Sequence, residues 1–385
     1  MTKDTISASY EWVTMTGGAY YLSVTGNHDT IQTDTANDTV VNVGENNVII
    51  ATGGNNWLGN YANFSFVYSG SGNDIVDNTG DAVYISSGAG DDFILNYGQV
   101  VYTHAGSGDD TIGSYGDDCT VEAGTGNDFV ESTGLNSLIE AGNGNDTINN
   151  IGAHSTLNGG DGADYIVNQS SGIGSSINGG VGNDIIYNYS SADSVNVDGG
   201  SGLDTIISAG FYCSVTGGDD ADSIVSFGAY STLNGGDGDD DIVNKSGGIS
   251  VLISGGDGND AIANSAKKVT INGGSGDDEI YTSGRYDLID GGDGNDTIYA
   301  YAQDATVTGG NGNDVIDFGD LSGVYNYLGG DDTLYGAGSD DLIVNADYDS
   351  FEEIDGNIIF HIGNNTLTLM NQTAESAYME SSSRR

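Results

Sequence analysis

The chain has 385 residues and a formal net charge of −50, from 57 acidic against seven basic side chains. It holds 64 glycines, no proline and two cysteines. Glycine without proline excludes a collagen-like chain and proline-rich linkers, and the charge disfavours nucleic acid and anionic membrane surfaces as partners. The acids alternate with Ile, Val, Leu and Tyr at fixed positions, unlike the runs of a disordered acidic tail.

Residues 1–65 keep a nine-residue phase with weak chemistry. Asp29, Asp38, Asn47 and Asn56 mark it, but most of the expected glycines are replaced, as in Thr35-Ala36-Asn37-Asp38. Terminal repeats are atypical because they cap a core, so this stretch reads as an N-terminal cap with degenerate turns. The start, Met1-Thr2-Lys3-Asp4-Thr5, lacks the basic and then apolar pattern of a signal peptide. No stretch approaches the roughly 20 apolar residues of a membrane helix.

From residue 66 to 344 the pattern is strict. Fifteen aspartates recur: Asp74, Asp92, Asp110, Asp128, Asp146, Asp164, Asp184, Asp204, Asp222, Asp240, Asp260, Asp278, Asp296, Asp314 and Asp332. Eleven of the fourteen steps are 18 residues and three are 20. A fixed period of this length predicts a solenoid that grows in one dimension. Two residues after each Asp an aliphatic side chain recurs, as at Ile148, Ile166, Ile186, Ile206, Ile224, Ile242, Ile262, Ile280, Ile298 and Ile316. A second column runs through Ile139, Leu157, Ile177, Val197, Val215, Leu233, Ile253, Ile271, Ile289 and Val307. Strand side chains alternate faces, so both columns point inward. The expected fold is all-β: a parallel β-roll or β-helix with about 18 residues and two short strands per turn.

The two-residue insertions fall around Ser170–Gly174, Ser190–Asp193 and Lys245–Ile249, on the edge away from the aspartates. Asn or Asp before a glycine pair, as at Asn158, Asn178, Asp198, Asn234, Asn272 and Asp290, predicts a stacked polar ladder at a corner. Cys119 and Cys213 share one column five turns apart. At roughly 4.8 Å per turn they stand about 24 Å apart, beyond the roughly 7 Å a disulfide permits.

After Val344 the period breaks. Ile354-Asp355-Gly356-Asn357-Ile358-Ile359-Phe360 and Ile362-Gly363-Asn364-Asn365-Thr366-Leu367 read as strands joined by tight turns. Residues 345–385 are expected to form a C-terminal β-cap over the last rung, with a disordered tail at Ser381–Arg385.

Most aspartates end a Gly-x-Gly-x-Asp frame. The paired glycines are Gly70 and Gly72, Gly88 and Gly90, Gly106 and Gly108, Gly124 and Gly126, Gly142 and Gly144, Gly160 and Gly162, Gly180 and Gly182, and Gly200 and Gly202. After Asp222 they continue as Gly236 and Gly238, Gly256 and Gly258, Gly274 and Gly276, Gly292 and Gly294, and Gly310 and Gly312. A hard divalent cation selects oxygen ligands, and Ca²⁺ takes six to eight of them. Glycine turns offer bare carbonyls and the Asp adds a charged oxygen, so stacked turns place one ligand set per rung.

The runs Gly-Gly-Asp-Gly-Asn-Asp-Thr-Ile-Tyr at 291–299 and Gly-Gly-Asn-Gly-Asn-Asp-Val-Ile-Asp at 309–317 resemble the nonapeptide of RTX (hemolysin-type) calcium-binding repeats. The resemblance covers roughly residues 66–370. It implies a right-handed parallel β-roll, Ca²⁺ held by the aspartates and turn carbonyls, disorder without calcium, and bacterial export through type I secretion without a cleavable leader. Alternate nines lack the motif, as in Gly152-Ala153-His154-Ser155-Thr156-Leu157. About 10–14 ions are therefore expected along one edge only. Asp220 displaces a motif glycine, the Asp332 turn is compressed, and Asp340 could start one further turn; weaker sites are expected there.

No Gly-x-Ser-x-Gly, His-Glu-x-x-His or phosphate-loop lysine motif occurs, and His28, His104, His154 and His361 are scattered. An enzyme is not expected. A secreted or cell-surface adhesin or assembly protein is favoured, with tyrosines such as Tyr187, Tyr281 and Tyr299 facing outward for self-association. An ice-binding solenoid is one alternative. The outward column Ser71, Ala89, Ser107, Thr125, Asn143, Asp161, Val181 and Ser201 is irregular for that role. The calcium module of a larger exported enzyme or toxin is another.

Overall fold

Strands of three to seven residues recur about twice per 18 residues along the chain, and the described residues contain no helix. The computed structural model describes residues 2–169, 171–189, 191–245, 249–319, 321–336, 342–371 and 379–380. Asp340, the tail at Ser381–Arg385 and parts of the three inserted loops lie outside them. The chain divides into two compact units, Met1–Asn196 and Val197–Arg385.

The first unit is a parallel β-solenoid. Each turn lends one strand to each of two sheets. Thr147–Asn150 pairs with Phe129–Ser132 before it and Tyr165–Asn168 after it, while Thr156–Asp161 pairs with Leu138–Asn143 and Ser176–Val181 in the other sheet. The register sets Ile148 against Ile166 and Ile139 against Leu157, so equivalent side chains stack turn on turn. Ile94, Ile112, Val130, Ile148 and Ile166 of one sheet face Ile85, Val121, Ile139 and Leu157 of the other, all essentially sealed from solvent. β-branched residues suit this position because their stiff side chains pack well on a pleated surface.

Residues 2–65 belong to the same winding. Thr2–Ile6 pairs in parallel with Tyr20–Val24, and Thr39–Asn42 with Trp57–Asn60. These turns therefore continue the solenoid, with Leu22, Ile31, Val40, Ile49 and Leu58 as their core.

In the second unit Ile206, Ile224, Ile242, Ile262, Ile280, Ile298 and Ile316 form one inward ladder and Val215, Leu233, Ile253, Ile271, Ile289 and Val307 the other. Its C-terminal end is the expected cap. Ser350–Ile354, Asn357–Ile362 and Asn365–Leu369 run antiparallel, and the last pairs in parallel with Asp332–Tyr335. Ile358, Phe360, Leu367 and Leu369 cover the final rung. Asp355 and Gly356 both take positive φ, 53° and 80°, which fits the tight hairpin read from Asp-Gly.

The edge without motif aspartates is held by amides. Asn42 donates to Asn60 (2.7 Å), Asn60 to Asn78 (2.6 Å) and Asn78 to Asn96 (2.8 Å); Asn150 and Asn168 continue to Asn188, and Asn244 donates to Asn264 in the second unit. This buried ladder lies four residues after the motif position and is interrupted where serine holds that place, as at Ser114, Ser132 and Ser226. The polar ladder expected from Asn158 and Asn178 is exposed and joined by one long bond of 3.4 Å. The same edge carries one left-handed residue per turn, including Phe64, Ala82, Val100 and Asn136. Cys119 and Cys213 are buried and not joined in a disulfide, and burial pushes the Cys119 thiol pKa up.

Candidate metal centre

Each motif turn is built on its two glycines. Gly142 and Gly144 take φ of +115° and +138°, a region open to glycine at little cost. They also lie directly over the preceding turn. A Cβ on Gly142 would strike the carbonyl oxygen of Gly124, and one on Gly144 that of Gly126. Stacked carbonyls and absent side chains thus leave an oxygen-lined path up the edge of each unit.

The motif aspartates point into this edge. All fifteen are buried, at 0–3 % exposure. One carboxylate oxygen is used structurally. Oδ1 of Asp146 accepts the backbone N–H of Asp128 at 2.7 Å, and Oδ1 of Asp164 accepts that of Asp146 at 2.7 Å. The pattern recurs in the second unit, from Asp204 N–H to Asp222 through Asp314 N–H to Asp332. In twelve of the motif aspartates the other oxygen is bare. Oδ2 of Asp74, Asp92, Asp110, Asp128, Asp146 and Asp164 in the first unit has no hydrogen-bond partner. The same holds for Asp222, Asp240, Asp260, Asp278, Asp296 and Asp314 in the second. Ser69 lies close enough to pull the Asp74 pKa down, yet its hydroxyl bonds to the Ser87 carbonyl at 3.0 Å.

A buried carboxylate without a partner is costly. Burial accordingly raises the pKa of these groups, against the downward pull of the N–H that each accepts. Asp74, Asp128 and Asp146 are pushed to about 6, Asp110 and Asp164 to about 7. In the second unit Asp222 and Asp278 reach about 7, Asp240 and Asp296 about 6.

Where glycine stands five residues before the motif Asp, the bare oxygen of six rungs has a second oxygen beside it. The space that a Cβ of Gly159 would fill is bordered by Asp164 Oδ2 and the Gly179 carbonyl, one turn on. Gly217, Gly235, Gly255, Gly273 and Gly291 repeat this with Asp222, Asp240, Asp260, Asp278 and Asp296. Two unpaired oxygens facing one hole repel unless something positive stands between them.

Asn56 shows what the hole accepts. It holds the motif-Asp position one turn before Asp74. Its Nδ2 donates to the carbonyls of Gly54 (2.9 Å), Gly53 (3.2 Å) and Ser69 (3.2 Å) and to Asp74 Oδ1 (3.0 Å). Written relative to a motif residue n in an 18-residue turn, these are the carbonyls of n−3, n−2 and n+13 and the Oδ1 of n+18. With Oδ2 of an aspartate at n, that is an all-oxygen set carrying negative charge, the chemistry a hard divalent cation selects. Calcium fits: at the Asp146 rung, Asp146, the carbonyls of Asn143, Gly144 and Gly159, and Asp164 would hold it. The second motif glycine, Gly144 here, is in this set. The first, Gly142, serves close stacking, and n−3 and n+13 were missed by the sequence reading because any residue type supplies a carbonyl.

The residue before each motif Asp was missed as well. Asn127 N–H donates to Asp109 Oδ1 (2.7 Å), Asn145 N–H to Asn127 Oδ1 (2.9 Å) and Ala163 N–H to Asn145 Oδ1 (2.8 Å). An exposed ladder therefore runs beside the buried one in the opposite direction. The recurrent Asn or Asp at that place was its signal. Among the described residues no three His, Cys, Asp or Glu side chains gather into one cluster.

Two positions depart from the pattern. Asp220 takes φ +74° in the place of a glycine. Asp332 Oδ2 accepts the hydroxyl of Tyr325 at 2.6 Å, so this carboxylate is already partnered. Tyr325 is fully buried in the position of an inward aliphatic residue, and burial with Asp332 beside it drives its pKa up. In the N-terminal turns, Asp38 Oδ2 and Asp29 Oδ2 are bare and buried, the latter on the amide edge.

Winding, register and the carboxylate column define the class: a β-solenoid of calcium-binding repeats. More narrowly, the chain carries RTX calcium-binding nonapeptide repeats, whose family profile matches residues 122–150, 154–168, 175–195, 272–307, 290–320 and 328–346. Among solved structures, a hyperactive, Ca²⁺-dependent, β-helical antifreeze protein from an Antarctic bacterium is similar at 22% identity, over 86% of this chain and 84% of that one, with a TM-score of 0.25. A score this low supports no transfer between the two. Comparison with the curated proteins finds no match.

Proposed function

We propose that the protein is a structural solenoid whose folding is coupled to calcium, acting outside the cell or on its surface through lateral contacts rather than by catalysis. The observation that carries it is the column of buried, unpartnered aspartate oxygens. A cation on each rung would satisfy them and would remove much of the self-repulsion. With about 14 ions at one per rung, the formal charge of −50 becomes −50 + 28, about −22. Ligands that repel one another when empty make binding and folding one event. In a calcium-rich exterior such a chain would fold after export.

Lateral contact is supported by the outer faces. In the first unit Ile75, Phe93, Phe129, Tyr165 and Ile185 stand exposed on one sheet. Tyr84 and Tyr102 stack at 5.3 Å with 6° between their planes, and Tyr212 and Tyr230 of the second unit stack at 5.1 Å and 10°. Such faces shield the strands and offer a ribbed aromatic surface to a neighbour.

Far-ultraviolet circular dichroism with and without EGTA tests the folding claim; a β spectrum indifferent to the chelator sinks it. Light scattering across a calcium titration tests the contacts, and a strict monomer at high calcium counts against them.

A further inference from the structure

We propose that Asn56 is a built-in substitute for a cation, which interrupts the calcium column between Asp38 and Asp74. This rests on calcium occupying the aspartate rungs as above. Asn56 Oδ1 accepts the Asp38 N–H at 2.9 Å, as an aspartate Oδ1 does elsewhere. Its other arm ends in an NH₂ where the aspartates end in a bare oxygen. That nitrogen is surrounded by four oxygens at 2.9–3.2 Å, and Asn56 is 3 % exposed. An amide with two donors therefore supplies, without charge or ion, the positive edge that the oxygens require. A cation and the amide cannot share the hole, so the Asn56 rung holds no calcium.

The other end of the repeat array is closed by the same principle. The Tyr325 hydroxyl caps Asp332 Oδ2, leaving only Oδ1 of that carboxylate to the rung of Asp314. One donor side chain at each place thus decides whether that rung takes an ion, and the ion count becomes a property written in single residues.

The exchange is testable in both directions on the full chain. Asn56→Asp replaces the NH₂ by an oxygen and should bind one calcium more than wild type. Asp146→Asn places the amide in mid-column, against the carbonyls of Asn143, Gly144 and Gly159, and should bind one fewer while keeping its β spectrum in calcium. Native mass spectrometry of the calcium-saturated proteins counts the ions, and circular dichroism reports the fold. A folded variant with the wild-type count overturns the proposal. So does an Asn56→Asp protein that stays unfolded at saturating calcium, since the new carboxylate is then not satisfied by an ion. An Asp146→Asn protein that cannot fold in calcium overturns it too, because the amide then fails to substitute. A wild-type chain that binds no calcium would bring down the underlying reading itself, a result distinct from normal wild-type binding with unchanged variants.

Discussion

Acid should do to the metal-free protein part of what calcium does at neutral pH. The perturbation is removal of calcium, followed by titration from pH 8 to pH 5. Asp146 would ionise near 3.8 when exposed but near about 6 when folded, and Asp164 near about 7. A shift of that size corresponds to about 3–4 kcal/mol per carboxyl. Three such groups already match the 5–15 kcal/mol net stability of an ordinary domain. The sign follows from proton uptake. Between about pH 4 and pH 6–7 the folded state binds more protons than the unfolded chain, so stability falls as pH rises through that window and stays low above it. The metal-free solenoid is therefore most stable at the acid end, where its buried carboxyls are neutral. Calcium-stripped protein in calcium-free buffer, followed by circular dichroism, should be largely unfolded at pH 8 and gain β signal below about pH 6. Calcium-loaded protein should behave oppositely, because protons and calcium compete for the same oxygens. A stripped protein with the same β content at pH 8 and pH 5 would refute the reasoning.

Three substitutions follow from the same geometry, each read by denaturant unfolding in saturating calcium. Tyr325→Phe removes a buried hydrogen bond to the Asp332 carboxylate and should cost about 1.5–3 kcal/mol; an unchanged midpoint would mean that the hydroxyl does not hold that group. Asp220→Gly relieves a left-handed aspartate at φ +74° and withdraws a charge that raises the neighbouring Asp222 pKa, so a gain of about 1 kcal/mol is expected, and a loss would contradict it. Ile148→Ala opens the sealed ladder between Val130 and Ile166 and should cost about 2–5 kcal/mol; a cost below 1 kcal/mol would show that neighbouring turns close the gap.

The sequence by itself determined the winding. An 18-residue period with Ile two places after each Asp leaves one way to bury the aliphatic ladder, because strand side chains alternate and equivalent positions must stack. The Asp-Gly hairpin of the cap was legible for a similar local reason: two positive φ values in succession favour those residues. The motif glycines were legible as well, since only a residue without Cβ fits over the preceding turn's backbone. Tertiary structure alone decided how most of the motif carboxylates are shared, with Oδ1 given to a backbone N–H one turn away and Oδ2 left bare. That division depends on contacts 18 residues apart, and no local pattern encodes it. The same holds for the carbonyls at n−3 and n+13, which any side chain can accompany, and for the buried Asn ladder, whose bonds join residues about 18 positions apart. Asn56 and Tyr325 make the point at single residues. In the sequence one is a degenerate repeat and the other an aromatic in an aliphatic column. In the fold both place a hydrogen-bond donor against oxygens that elsewhere have none.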